Sequence, residues 1–136
     1  MNAPFKAGRL AGYAAVFDLP DGMGDRISPG AFARSLAERT TPFPLLWQHR
    51  GDQCIGWAEY VAEDARGLRV IARIDAPHSR AAAALSRHTA SGLSFGYRAR
   101  RFRRCAGGRW LDEIELFEIS LVTDPMHPLA RVHWSE

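Results

Sequence analysis

The sequence predicts a mainly β fold with flanking helices (α+β): an antiparallel β-barrel of about seven strands with two or more helices packed outside. Three observations predict it. Short apolar runs with period-two alternation recur, most cleanly where Leu68, Val70, Ala72 and Ile74 alternate with Arg69, Ile71, Arg73 and Asp75. Most runs are separated by hairpin-length turns rich in Gly, Pro and Asp. Two stretches read as helices, too few for strands that alternate with helices in a parallel sheet.

In order, residues 8–18 read as the first strand, with Leu10, Tyr13, Ala15 and Phe17 in imperfect alternation. Pro20-Asp21-Gly22 turns the chain. Ser28 reads as an N-cap and Pro29 as the first position of a helix that runs to about Arg39. Residues 43–48 form a short apolar strand that delivers His49, followed by a loop at Arg50-Gly51-Asp52. Residues 55–63 and 68–75 pair through Asp64-Ala65-Arg66-Gly67. A second helix starts at Ala76-Pro77 with Asp75 as its cap, and Gly92 stops it. Residues 93–102, 109–115, 117–123 and 129–134 supply the remaining strands. No internal repeat or linker divides the chain, so residues 1–136 read as one domain.

Composition narrows the function classes. A hydrophobic share of 46% fits a globular protein and excludes disorder. No apolar run reaches the length of a membrane span, and the first ten residues lack the apolar stretch of a secretory signal. Cys54 and Cys105 fall in no metal or redox spacing and read as free thiols. His78, His88, His127 and His133 form no ligand motif, so neither a zinc site nor any cofactor is expected. Net charge is +3, and all but one of the 18 Lys and Arg residues are arginine. That permits an acidic partner without demanding nucleic acid.

Three residues stand apart. Ser94 lies in Gly92-Leu93-Ser94-Phe95-Gly96-Tyr97, where alternation sends Leu93, Phe95 and Tyr97 to one face and Ser94 and Gly96 to the other. That second face is nearly bare, so another backbone can approach a hydroxyl there. His49 ends an apolar strand at a loop edge, where site residues often lie. Glu118 is a carboxylate in mid-strand, within Leu116-Phe117-Glu118-Ile119-Ser120-Leu121-Val122. There Phe117, Ile119 and Leu121 are expected on one face and Leu116, Glu118, Ser120 and Val122 on the other. Each has a plainer reading: an ordinary strand serine, a locally bonded histidine, a solvent-facing glutamate. Together they supply nucleophile, general base and orienter.

In order along the chain, Gly12-Tyr13-Ala14-Ala15-Val16-Phe17, Ile27-Ser28-Pro29-Gly30-Ala31-Phe32, Leu46-Trp47-Gln48-His49, the Ser94 hexapeptide and the Glu118 segment resemble the prohead (capsid-maturation) serine proteases of tailed bacteriophages. That family is similar in fold to the herpesvirus assembly proteases. The resemblance implies a serine endopeptidase that cleaves scaffold and capsid-protein extensions during head maturation. It implies His49 as base and Ser94 as nucleophile, with Glu118 where the herpesvirus relatives use a second histidine. The implied substrates are the scaffold protein and the major capsid protein, and the implied place is the bacterial cytoplasm, inside immature capsids. A homodimer is compatible with it; a membrane is not implied, and nucleic acid is disfavoured.

The oxyanion would be stabilised by backbone N–H groups, for which the loop at residues 123–128 is the candidate. The rival reading is a catalytically inactive capsid-assembly or nucleic-acid-binding module built on the same barrel. Its motive is the basic strand of Arg98, Arg100, Arg101, Arg103 and Arg104, with Phe102 and Trp110 nearby. Those arginines also read as a charged edge strand that resists aggregation, or as a field that steers an acidic scaffold.

Overall fold

The computed structural model describes residues 8–75, 79–87, 90–125, 130 and 132–135. Among them the chain runs β1 (Arg9–Val16), β2 (Arg26–Ile27), α1 (Ala33–Glu38), β3 (Phe43–Trp47), β4 (Arg50–Glu63), β5 (Gly67–Ile74), α2 (Ser79–Ser86), β6 (Gly92–Cys105), β7 (Gly108–Val122) and β8 (Val132–Ser135). The hydrogen-bonded order is β2-β7-β3-β4-β5-β1-β8, and β6 lies on β7. Leu10, Leu45, Leu68, Val70, Ile74, Leu93, Ile119 and Leu121 are wholly buried inside the curl.

The fold is mainly β, as the alternation predicts, but the sheet is mixed and the barrel is open. Adjacent hairpins force antiparallel pairing only on consecutive strands. β3 reaches β7 after four intervening elements and runs parallel to it, Leu45 to Leu46 to Trp47 beside Ile119, Ser120 and Leu121. β2 is parallel to β7 as well, at Trp110 and Leu111. Among the described residues β6 bonds along β7 and to no other strand, which leaves the barrel open.

Between the β2 and β3 contacts, the chain around α1 covers the edge of β7. Ser28 N–H donates to Leu111 O (3.0 Å), Ile114 N–H to Ala31 O (3.0 Å), and Leu116 N–H to Ser35 Oγ (2.9 Å). These bonds satisfy groups that a strand would otherwise pair. Phe32, wholly buried, meets Phe95 edge-on at 5.4 Å and anchors β6 from the core side. Such ring pairs contribute about 0.5–1.5 kcal/mol beyond their burial.

Several boundaries differ from the sequence reading. α1 starts at Ala33, not at Pro29, because Gly30 adopts φ +91° and turns the chain there. Ser28 does not cap it: its hydroxyl donates to Asp112 Oδ1 (2.9 Å). The carboxylate of Glu63 instead accepts the N–H groups of Gly30 (2.7 Å) and Phe32 (2.8 Å). β7 is one strand where two were expected, and its register on β6 has three irregularities, one of them a bulge at Phe117. Gly92 opens β6 and does not end α2. The expected start of the second helix at Ala76-Pro77, and His78, His88 and His127, lie outside the described residues. The Asp64–Gly67 hairpin turn forms as predicted, closed by Asp64 N–H to Gly67 O (2.9 Å).

Candidate active site

Sequence and register put the site on the face of β6 and β7 that the core does not use. Leu93 lies opposite Leu121 and Phe95 opposite Ile119, all on the core side. Their neighbours therefore project the other way: Ser94 opposite Ser120, and Gly96 opposite Glu118. Directly paired residues carry Cβ atoms about 4.5–5.5 Å apart, so these four positions form one compact patch.

The bulge decides where Glu118 points. Gly96 pairs with Glu118 and Tyr97 with Leu116, so Phe117 has no partner on β6. Ile114 and Leu116 enter the core before the bulge, and Ile119 and Leu121 after it. Phe117 was expected on one face with Ile119 and Leu121, and Leu116 on the other with Glu118. Phe117 is instead 45% exposed and Leu116 is buried. An extra residue in a strand re-aims the side chains after it, here Glu118 and Ser120.

His49 arrives from β3 on a turn tighter than expected. Arg50-Gly51-Asp52 belongs to β4, and Gln48 and His49 alone connect Trp47 to Arg50. Both have positive φ, +50° and +61°, as the central residues of a type I′ hairpin must. Neither is Gly, Asn or Asp, so the turn is strained, and surrounding bonds must hold it. β7 and the residue after it supply them. Gln48 N–H donates to Leu121 O (3.0 Å), and the Gln48 amide exchanges bonds with Thr123 Oγ1 and N–H (both 3.3 Å). His49 N–H donates to Ser120 Oγ (3.1 Å).

The imidazole then meets Glu118: His49 Nδ1 lies 2.6 Å from Glu118 Oε1. Glu118 Oε2 accepts the Ser120 hydroxyl, also at 2.6 Å. The carboxylate is largely covered, at 13% side-chain exposure, while the imidazole is 43% exposed. The Glu118 hydrogen bond raises the His49 pKa above its ordinary value and outweighs the opposing effect of burial. A carboxylate on Nδ1 fixes that nitrogen as the protonated one and leaves Nε2 as the proton acceptor. Ser94 is 8% exposed, shielded but reachable.

The structure thus brings His49 and Glu118 into contact and sets Ser94 across one ladder rung from the Ser120 that bonds them both. The bare face expected beside Ser94 serves another purpose. A Cβ at Gly96 would stand 2.5 Å from Glu118 Oε1, so the missing side chain makes room for the carboxylate. At Gly92 a Cβ would stand 2.5 Å from the Pro125 ring, which holds the chain after β7 against the start of β6. The expected oxyanion loop is partly committed: Thr123 N–H serves Gln48, and Pro125 has none to offer. Its residues 126–128 lie outside the described part.

Among the described residues no cluster of His, Cys, Asp or Glu could hold a metal ion, and no helix is long and apolar enough to cross a membrane. Cys54 and Cys105 are free thiols. Three of the five arginines of the basic strand pair with carboxylates of β7 and α1. Arg98 pairs with Glu115 (2.6 Å), and Arg100 with Glu115 (3.2 Å) and Glu38 (3.6 Å). Arg103 grips Asp112 with two bonds (2.7 and 3.0 Å) and, with Ser28, holds its carboxyl down at about 2.

The sequence model of the caudovirus prohead serine proteases matches residues 3–136. The chain belongs to that family. The prohead protease of Enterobacteria phage HK97 is 34% identical over 134 residues, covering 93% of this chain and 60% of that protein. A capsid polyprotein of Pseudomonas phage PAJU2 is 28% identical over 124 residues, 83% of this chain and 18% of that one. The family chain therefore spans less than two thirds of either relative. Two herpesvirus enzymes share the fold. The KSHV protease, solved in complex with a hexapeptide phosphonate inhibitor, superposes with TM-score 0.66 at 14% identity, over 96% of this chain and 65% of its own. The varicella-zoster virus protease gives 0.62 at 19%, over 95% and 64%. The sequence reading did not single out Ser120 or Gln48, and it placed Gly96 beside Ser94 without its role of making room for Glu118. Its alternation had put Ser120 on the Glu118 face, the one signal available for it.

Proposed function

We propose that this chain is a serine endopeptidase of phage head maturation, acting as a single domain on scaffold and capsid-protein extensions inside immature capsids in the bacterial cytoplasm. Ser94 Oγ attacks the scissile carbonyl while His49 Nε2 takes its proton. The imidazolium returns that proton to the leaving amine, and water then releases the acyl group from Ser94 by the same route. Glu118 holds the imidazole through Nδ1 and stabilises its charged form. The observation that carries this reading is the 2.6 Å His49–Glu118 bond beside Ser94 on the non-core face. Family membership and the capsid polyprotein among the relatives support the substrate class. The self-paired arginines speak against a nucleic-acid-binding module.

The test is incubation with the co-encoded scaffold or capsid protein, with products read by mass spectrometry. Cleavage should fall about a millionfold in Ser94→Ala while the fold persists. A peptidyl phosphonate should label the parent at Ser94 and leave that variant unlabelled. Equal cleavage by the two proteins would remove Ser94 from the role of nucleophile.

A further inference from the structure

Ser120 has no part in the Ser94–His49–Glu118 scheme, yet it is the junction of the site. It is wholly buried. Its oxygen accepts the backbone N–H of His49 (3.1 Å) and its hydroxyl reaches Glu118 Oε2 (2.6 Å). The proton positions follow from the groups themselves. A backbone N–H can only donate, and a carboxylate can only accept. The single Ser120 proton therefore goes to Glu118, and the Ser120 lone pair goes to His49. Of the two serines facing each other across the ladder, Ser120 has its proton committed.

The second consequence is geometric. With Oε2 bound to Ser120, the carboxylate can no longer rotate freely, and Oε1 is aimed at His49 Nδ1. With the His49 amide bound to the same oxygen, the strained turn that carries the imidazole is fixed relative to that carboxylate. One hydroxyl sets both halves of the pair. Gly96 makes room for Glu118 from β6, Gln48 holds the turn from the other side, and Ser120 joins the two.

We infer that Ser120 is the positioning residue that locks the orientation and tautomer of the His49–Glu118 pair; this rests on the reading of that pair as base and orienter. The test uses the whole chain with ¹⁵N-labelled histidine. In the parent, neutral His49 should show one tautomer, protonated at Nδ1, and a protected backbone amide. Ser120→Ala should give mixed tautomers and an amide that exchanges about tenfold faster, since its bond partner is gone. On a peptide substrate it should lower kcat by about ten- to a hundredfold, as small misplacements of catalytic groups do, with KM unchanged. Ser120→Thr, which keeps the hydroxyl, should restore most of kcat; if its extra methyl prevents folding, the alanine variant alone decides. A single Nδ1–H tautomer in Ser120→Ala, or an unchanged kcat per folded molecule, would overturn the assignment. If the parent cleaves nothing, the protease reading fails, while the tautomer measurement still decides the role of Ser120.

Discussion

Gly96→Ala separates stability from activity at one position. The added Cβ would stand 2.5 Å from Glu118 Oε1 and 3.0 Å from its Cδ. Ordinary non-bonded contact needs about 3.5 Å, so the oxygen must retreat by about 1 Å. From its present 2.6 Å to His49 Nδ1, a retreat of that size in the wrong direction leaves about 3.6 Å, too long for a hydrogen bond. What must give way is the tip of a side chain, not backbone, so β6 and β7 keep their register. The expected loss of stability is that of one hydrogen bond, about 1 kcal/mol, or a fall in Tm of about 2–8 °C. The expected loss of activity is larger: a misplacement of about 1 Å costs about a hundredfold, equivalent to about 2.7 kcal/mol in the barrier. Steady-state cleavage of a peptide spanning a processing site, measured beside calorimetric unfolding, reads both. A Gly96→Ala protein with parental kcat/KM would show that the Glu118 position is irrelevant to turnover. A protein that fails to fold would show that the close approach is structural.

Two further outcomes follow from the electrostatics. Because Glu118 raises the His49 pKa, kcat/KM should rise with pH through a midpoint above the usual imidazole value of about 6.5. In Glu118→Gln the midpoint should move down toward that value while the plateau rate falls, by about 10⁴-fold or less; a midpoint that stays put would separate the two residues functionally. Arg101 and Arg104 make no ion pair with a described residue. Changing both to Gln should slow cleavage of an intact acidic scaffold several-fold at low salt and leave a short neutral peptide unaffected. Equal slowing of both substrates would count against steering.

The sequence shows the strands and the site unevenly, for physical reasons. Alternation and turn residues expose β1, β4 and β5, since each hides one face in the core. Ser94 and Glu118 are conspicuous as polar groups in apolar strands. The parallel pairing of β3 with β7 leaves no local trace, because it joins segments far apart in the chain. The bulge at Phe117 is equally silent: Leu116-Phe117-Glu118-Ile119 alternates as well with it as without it. The Gln48–His49 turn contains no Gly, Asn or Asp, the residues that mark such a hairpin in a sequence, and bonds from β7 and Thr123 hold it. Ser28 looks like a helix cap because nothing near it announces that Asp112, 84 residues away, will take its hydroxyl.

The pairing of β3 with β7 also fixes when in the life of the molecule the His49–Glu118 pair can form. His49 and Glu118 are 69 residues apart, and the turn that carries the imidazole takes its shape from Ser120, Leu121 and Thr123. Chains leave the ribosome N-terminus first. A nascent chain therefore exposes His49 and then Ser94 well before the strand that organises them has emerged. Until then the turn is an unsupported hairpin tip and the imidazole an ordinary solvated one. On the proposed mechanism the chemistry waits for β7, so a nascent chain that has not yet made that strand would lack the organised His49–Glu118 pair.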